Sequence, residues 1–340
     1  MWNPDSYFEQ LYHDNEPLYS FKAQSAEEWS VWQQQLRSRL TELLGVFPDR
    51  SSALEPELLE RKEYPEYTRE RVAFTTYDNL RMPAYVLIPK TNQNQVAYRA
   101  VIACHGHGYG SKDIVGLNPD GSDKTSSPVR NESFALELVK RGFLVIAPEL
   151  IGFGDRKLTE DEARGPRSHS CDKLAKSLLL LGKTLAGFRV YETIRTLDYL
   201  CSRNDVDKDR IGCIGISGGG LVGAFTSALD ERIKVSVVTC YANTFKDSIL
   251  SVQHCLDNYV PSILHLAEMP HIIGLIAPRP LFIESGIDDP LFPVQGTQRA
   301  VSELTKIYSL LDEEHQLGSD IFQGGHEMRG VDSFDWLNKL

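Results

Sequence analysis

Arg210-Ile211-Gly212-Cys213-Ile214-Gly215-Ile216-Ser217-Gly218-Gly219-Gly220 is the stretch that decides the fold. A short apolar run meets a serine flanked by glycines, and the small residues that follow as far as Leu229 read as a helix. G-x-S-x-G between a strand and a helix is a sharp, strained turn, which needs glycines because side chains beside the serine would strike neighbouring backbone. The turn pushes the Ser217 hydroxyl into the open, and the amides of the helix that starts next favour negative charge developing there. The same residues satisfy G-x-G-x-x-G over Gly218 to Gly223, but a dinucleotide site also wants an acid at the end of the next strand. That strand ends Val238-Thr239-Cys240-Tyr241, without one, and no Lys-Ser or Lys-Thr closes the glycine run as a phosphate loop requires.

Outward from this turn, strand-like and helix-like runs alternate. Upstream lie strand 100–104, helix 132–141, strand 144–147 and helix 187–201; downstream lie strand 235–239, strand 281–284, helix 295–311, strand 320–322 and helix 333–340. Such alternation implies a mainly parallel sheet with helices on both faces. Before it, 71–76 and 82–88 flank Asp78-Asn79 and read as a hairpin at the sheet edge. Residues 1–66 read as a helical arm, with Trp29, Trp32, Leu36, Leu40, Leu43 and Leu44 at helical spacing and Gly45 and Pro48 as the stop. The remainder, 67–340, reads as one domain interrupted by insertions at about 155–186 and 241–278, segments of a length that usually covers a site. Within the first insertion, 174–181 reads as helical.

Two further loops complete a constellation. Ile283-Glu284-Ser285-Gly286-Ile287-Asp288-Asp289-Pro290-Leu291-Phe292-Pro293 puts an acid just past a buried strand, and Gly324-Gly325-His326-Glu327 puts a histidine in the loop after the last strand. Ser217, Asp289 and His326 thus fall, in that order, at C-terminal strand ends, where open α/β sheets place their sites. Strand 100–104 runs into His105-Gly106-His107-Gly108, a turn whose glycines let amides face the site; the backbone N–H groups of His107 and Gly218 are the expected oxyanion donors. The i, i+2 histidine pair lacks further ligands in its motif, so no metal is expected there. Glu149, Asp155 and Arg156 follow a strand, where charged residues are more often solvated ends or caps than pocket lining. His169, His254, His265 and His271 lack the terminal-loop position of His326 and read as surface or satisfied interior groups.

With these motifs in place, the chain resembles the α/β-hydrolase superfamily, and within it the bacterial dienelactone-hydrolase-like and acetyl-xylan-esterase-like branch. Further marks are Pro148-Glu149-Leu150-Ile151-Gly152-Phe153-Gly154-Asp155 and, in the arm, Leu36-Arg37-Ser38-Arg39-Leu40 with Leu43-Leu44-Gly45. In such families the acid stands three residues after the strand-end glycine and four before a proline, which matches Asp289 between Gly286 and Pro293 rather than Asp288. Dienelactone hydrolases commonly carry cysteine at the elbow, whereas Ser217 stands here, so the resemblance implies esters rather than that lactone chemistry. The constellation points to two-step acyl transfer on carboxylic esters, with Ser217 as nucleophile, His326 as base and Asp289 orienting it, and no cofactor; short acyl groups are expected because the two insertions roof the pocket and neither shows the extended apolar face of a lipase lid.

Composition excludes other classes. The formal net charge of −11 leaves no basic stripe to neutralise phosphates, so neither nucleic acid nor an anionic membrane is an expected partner. The N-terminus has no basic-then-apolar leader and no run of about 18 apolar residues occurs, which reads as a cytoplasmic protein. The 6 cysteines are widely spaced without C-x-x-C pairing and read as reduced core thiols. The Trp29/Trp32 stripe is most simply packing, although an arm with exposed aromatics also suits a homo-oligomer. Two alternatives stand beside the esterase: an amidase or peptidase of the same fold, and a noncatalytic binding protein on the hydrolase scaffold.

Overall fold

In the computed structural model, which describes residues 2–45, 47–48, 50–90, 97–125 and 133–340, nine strands form one sheet. They are β1 (Glu57–Glu63), β2 (Tyr67–Tyr77), β3 (Leu80–Pro89), β4 (Tyr98–Cys104), β5 (Leu144–Pro148), β6 (Val206–Ile216), β7 (Ile233–Thr239), β8 (Leu281–Gly286) and β9 (Leu317–Phe322), in the order β1-β2-β3-β5-β4-β6-β7-β8-β9. From β5 to β9 every pairing is parallel; β1, β2 and β3 add an antiparallel flank. The expected α/β sheet is therefore present.

Alternation along the strands builds a core on each face, because successive side chains point to opposite sides. Ala100, Ile102 and Cys104 of β4 join Leu144 and Ile146 of β5 in one cluster, while Val101 and Ala103 join Val145 and Ala147 in the other. Helices 185–202, 218–229, 269–274 and 294–310 cover the first face; 134–140 and 332–336 cover the second. The helix expected over 132–141 is seen as Phe134–Lys140, Glu132 lying outside the described residues.

The arm helix runs Ala26–Leu44 and buries Trp32, Leu36, Leu40 and Leu44 at i, i+4 spacing. Ser25 accepts the Glu28 amide at its start, Glu28 accepts the Gln24 amide in return (2.8 Å), and Gly45 at φ 70° ends it. Sequence reading misses one element here. Residues 57–63, read as part of the helical arm, form β1 outside β2, so the hairpin is not the sheet edge. All seven residues of β1 are exposed, so no apolar alternation announces it. Two helices differ by three residues or more at one end: Cys171–Leu180 begins three residues earlier than 174–181, and 333–340 resolves into Asp332–Trp336 followed by a 3₁₀ turn, Leu337–Lys339. Among the described residues no helix is long and apolar enough to cross a membrane.

Candidate active site

Ser217 sits between β6 and helix 218–229 at φ 57°, ψ −125°, a backbone conformation that costs a non-glycine residue about 1–3 kcal/mol and is held only by its surroundings. Those surroundings are explicit. Its amide donates to the Thr239 carbonyl of β7 (3.0 Å) and its carbonyl accepts the Leu221 amide (3.0 Å). A Cβ on Gly215 would come within 2.1 Å of the Gly219 carbonyl oxygen, and one on Gly219 within 2.2 Å of the Cys104 carbonyl oxygen, so both positions must be glycine for β4, β6 and the helix to meet.

The acid and the histidine come from neighbouring strand ends. After β8, the Asp289 carboxylate accepts the amides of Leu291 (2.8 Å) and Phe292 (3.1 Å) at Oδ1, which leaves Oδ2 for His326 Nδ1 at 2.8 Å. Burial alone would push the Asp289 pKa up; the His326 bond and charge and the two amides outweigh it and hold the carboxyl below its ordinary value. With Nδ1 carrying the hydrogen towards Asp289, Nε2 is left free to accept a proton. The Phe292 ring stacks on the imidazole, with centroids 5.8 Å apart. Asp288, by contrast, is exposed and bonded to Gln323, not to His326. Buried Glu284 anchors the segment beyond the histidine: Oε1 accepts the Gly330 amide (2.9 Å) and Ser333 hydroxyl (2.7 Å), and Oε2 the Thr239 hydroxyl.

The turn after β4 packs against the elbow. A Cβ on Gly106 would lie 3.3 Å from the Ser217 Cβ, and one on Gly218 would lie 3.2 Å from the His107 ring, so His107 and Gly218 adjoin beside the serine. His105 is a strut rather than a ligand or base. Its buried ring donates from Nδ1 to the Gly106 carbonyl (2.9 Å) and accepts the Leu150 amide at Nε2 (3.2 Å), and burial pushes its pKa down to about 4, which keeps it neutral.

Ser217, Gly218, His107 and His326 line one cavity of about 360 Å³. Ile114, Phe134, Ile216, Leu291 and Phe292 make up its apolar lining. Besides His105 and Asp113, polar lining comes from Arg167 of the first insertion and from Gln253, His254, Cys255 and Asn258 of the second. None of these five was singled out as a site residue from sequence; the only signal was that both insertions leave strand ends. Glu149, Asp155 and Arg156 lie elsewhere: Glu149 is buried on Ser111, Asp155 pairs with Arg71 and Lys112, and Arg156 forks onto buried Glu192. A larger cavity of about 660 Å³, between helix Asp5–His13 and the second insertion, holds none of the candidate catalytic groups.

The architecture recurs in known proteins. A Bacteroides fragilis NCTC 9343 protein described as an acetyl xylan esterase superposes with a TM-score of 0.80 at 21% identity, covering 95% of this chain and 83% of its own. Methylesterase BT1017 superposes with a TM-score of 0.70 at 18% identity over 98% of this chain and 67% of its own, and a glucuronoyl esterase from Solibacter usitatus with 0.67 at 16% over 95% of each. In sequence, YtaP of Bacillus subtilis (strain 168), named as a hydrolase, is 34% identical over 282 residues, 80% of this chain and 87% of YtaP. The abhydrolase family model matches residues 6–303, a span that includes Ser217 and Asp289. By this match, the YtaP relationship and the shared fold, the chain belongs to the abhydrolase family of the α/β-hydrolase superfamily.

Proposed function

We propose that the protein is a serine esterase that cleaves short-acyl carboxylic esters of hydroxyl-rich alcohols. The observation that carries this reading is the 2.8 Å bond between His326 Nδ1 and Asp289 Oδ2, made so that the other ring nitrogen is left for a cavity that Ser217 also lines. Ser217 attacks the ester carbonyl as His326 Nε2 takes its proton, and Asp289 holds the tautomer and stabilises the imidazolium. The amides of His107 and Gly218 carry the oxyanion. His326 then protonates the departing alcohol, and water releases the acyl group by the same two roles. These steps require no cofactor.

Cavity size supports the acyl preference: about 360 Å³ must hold the scissile group and both substituents, at the lower end of small-molecule pockets. The apolar lining suits an acyl chain of about two to four carbons, with each misfit methylene costing about 1 kcal/mol. Arg167, Gln253, His254 and Asn258 offer hydrogen-bonding partners to an alcohol bearing hydroxyl groups, in keeping with the carbohydrate-linked names among the structural neighbours. A panel of nitrophenyl esters from acetate to palmitate, run beside an acetylated sugar, tests both halves. The rate per unit concentration should fall steeply beyond butyrate and vanish in Ser217→Ala, which should also lose labelling by a fluorophosphonate. Peak activity on octanoate or palmitate would make the protein a lipase-like enzyme instead.

A further inference from the structure

Beside the elbow, four side chains remote in sequence converge. His107 follows β4, Cys171 opens helix 171–180 in the first insertion, and Cys255 and Asp257 belong to the second insertion. One imidazole nitrogen, the two Sγ atoms and one carboxylate oxygen all lie within 4.8 Å of one another. From this convergence we infer that the protein holds a divalent ion of zinc chemistry at His107, Cys171, Cys255 and Asp257, which staples both insertions to the turn that flanks Ser217.

Tetrahedral zinc, with bonds of about 2.0–2.3 Å, spaces its ligand atoms roughly 3.3–3.8 Å apart, so the cluster needs a contraction of at most about 1.5 Å. Two thiolates with an imidazole and a carboxylate are soft enough to select zinc over magnesium or calcium. The imidazole is turned correctly. His107 Nε2 faces Asp257 Oδ2 at 3.5 Å, while the Nδ1 side of the ring packs over Gly218. Asn258 donates to Asp257 Oδ1 (2.8 Å), which fixes the carboxylate with Oδ2 inward.

Buried Arg189 stands next to the cluster, donating to Asp257 Oδ2 and to Cys171 Sγ at 3.0 Å. A lone cation there would repel a metal. Counted with its partners, it does the opposite: Arg189 and Asp257 cancel, and one dication bound by two thiolates leaves the buried charge at zero. Burying a net charge is the large cost that this exchange avoids. Arg189 then acts as the outer partner that orients a thiolate and a carboxylate, as hydrogen-bond donors around protein-bound zinc do. All four positions are filled by protein atoms, so the ion is structural and takes no part in the acyl transfer.

The test uses the whole protein. Reduced, chelator-treated protein is given zinc, separated from free ion and assayed for metal per chain; the same protein given cobalt is read for thiolate-to-cobalt absorption. One equivalent per chain, the charge-transfer band and a raised thermal midpoint are expected, with all three lost in Cys171→Ser and Cys255→Ser and kept in Cys201→Ser, whose thiol lies outside the cluster. The wild-type titration needs no variant to fold. Fewer than about 0.1 equivalents retained by reduced wild type overturns the proposal, as does a cobalt complex that lacks the thiolate band. A Cys171–Cys255 disulfide that, once reduced, still leaves the protein unable to take up zinc overturns it equally.

Discussion

His326 and His105 each lie beside a carboxylate that follows a neighbouring strand, and the two are built for opposite purposes. His326 is bonded to Asp289 at 2.8 Å, and that carboxylate keeps its charge because two backbone amides and the imidazole serve it. His105 Nε2 lies 3.6 Å from Glu149 Oε1, too far for a hydrogen bond, and spends its ring nitrogens on the Gly106 carbonyl and the Leu150 amide. Burial there outweighs the two Ser111 bonds to Glu149 and raises that carboxyl to about 7, while it lowers His105 to about 4. One pair leaves an imidazole nitrogen for a cavity; the other keeps His105 neutral and holds Glu149 protonated up to about pH 7 inside the frame. Proximity of an acid to a histidine therefore says little until the remaining bonds of both are counted.

The sharpest way to break the contrast is to remove each ring. His326→Ala should keep its unfolding midpoint and lose ester hydrolysis by at least roughly a thousandfold, since triad members act as a unit. A variant that keeps hydrolysis within tenfold of wild type would show that another group is the base. Within the first pair, Asp289→Asn should cost about 10⁴ in kcat because the amide favours the wrong tautomer, and Asp288→Asn should stay within about threefold. Reversed sizes for these two would transfer the acid role to Asp288.

His105→Ala should show the reverse of His326→Ala. It leaves a cavity and strands the Leu150 amide, so stability should fall by about 3 to 5 kcal/mol in urea unfolding. The folded fraction should still react with a fluorophosphonate at Ser217. Loss of that labelling at full stability would mean that His105 belongs to the chemistry.

The floor of the site was legible in the sequence because its signals are local. Gly215 and Gly219 record the close approach of strand and helix, and Gly286 records another, since a Cβ there would sit 2.1 Å from the Gly325 carbonyl oxygen in the histidine loop. The roof was not legible. Gln253, His254, Cys255 and Asn258 lie in a stretch with little regular structure, so no period marks which of them face inward. Cys171, Arg189 and Asp257 meet through three separate segments, and spacing cannot show a contact made across 68 residues. Edge strand β1 fails for a third reason: it is held to β2 by backbone pairing and by ion pairs such as Arg61–Glu70 and Glu60–Arg69, while all of its residues are exposed.

The smallest expected effect concerns the neutral pair and is a matter of sign. Glu149 binds its proton more tightly in the folded chain, up to about pH 7, than in the unfolded chain, where an ordinary 4.5 applies. Between those values the folded chain holds more protons at this group, so the stability that Glu149 contributes declines as pH rises through the window; below it the penalty is absent and above it complete. Its size is on the order of 3 kcal/mol. His105, neutral in the folded chain above about 4 but protonated up to about 6.5 when unfolded, acts in the opposite sense and adds stability as pH rises between those values; wild type and Glu149→Gln share that contribution, so it cancels in their comparison, while Asp155 and Lys112, the other charges acting on Glu149, pair with one another at 2.8 Å and largely offset. Glu149→Gln removes the ionisation while keeping an oxygen for the Ser111 bonds. Relative to wild type, this variant should therefore gain stability from pH 4.5 to 7.5, read as a growing separation of urea midpoints. A separation that stays constant across the series would mean that Glu149 is ionised in the folded protein, and that the second pair is charged like the first.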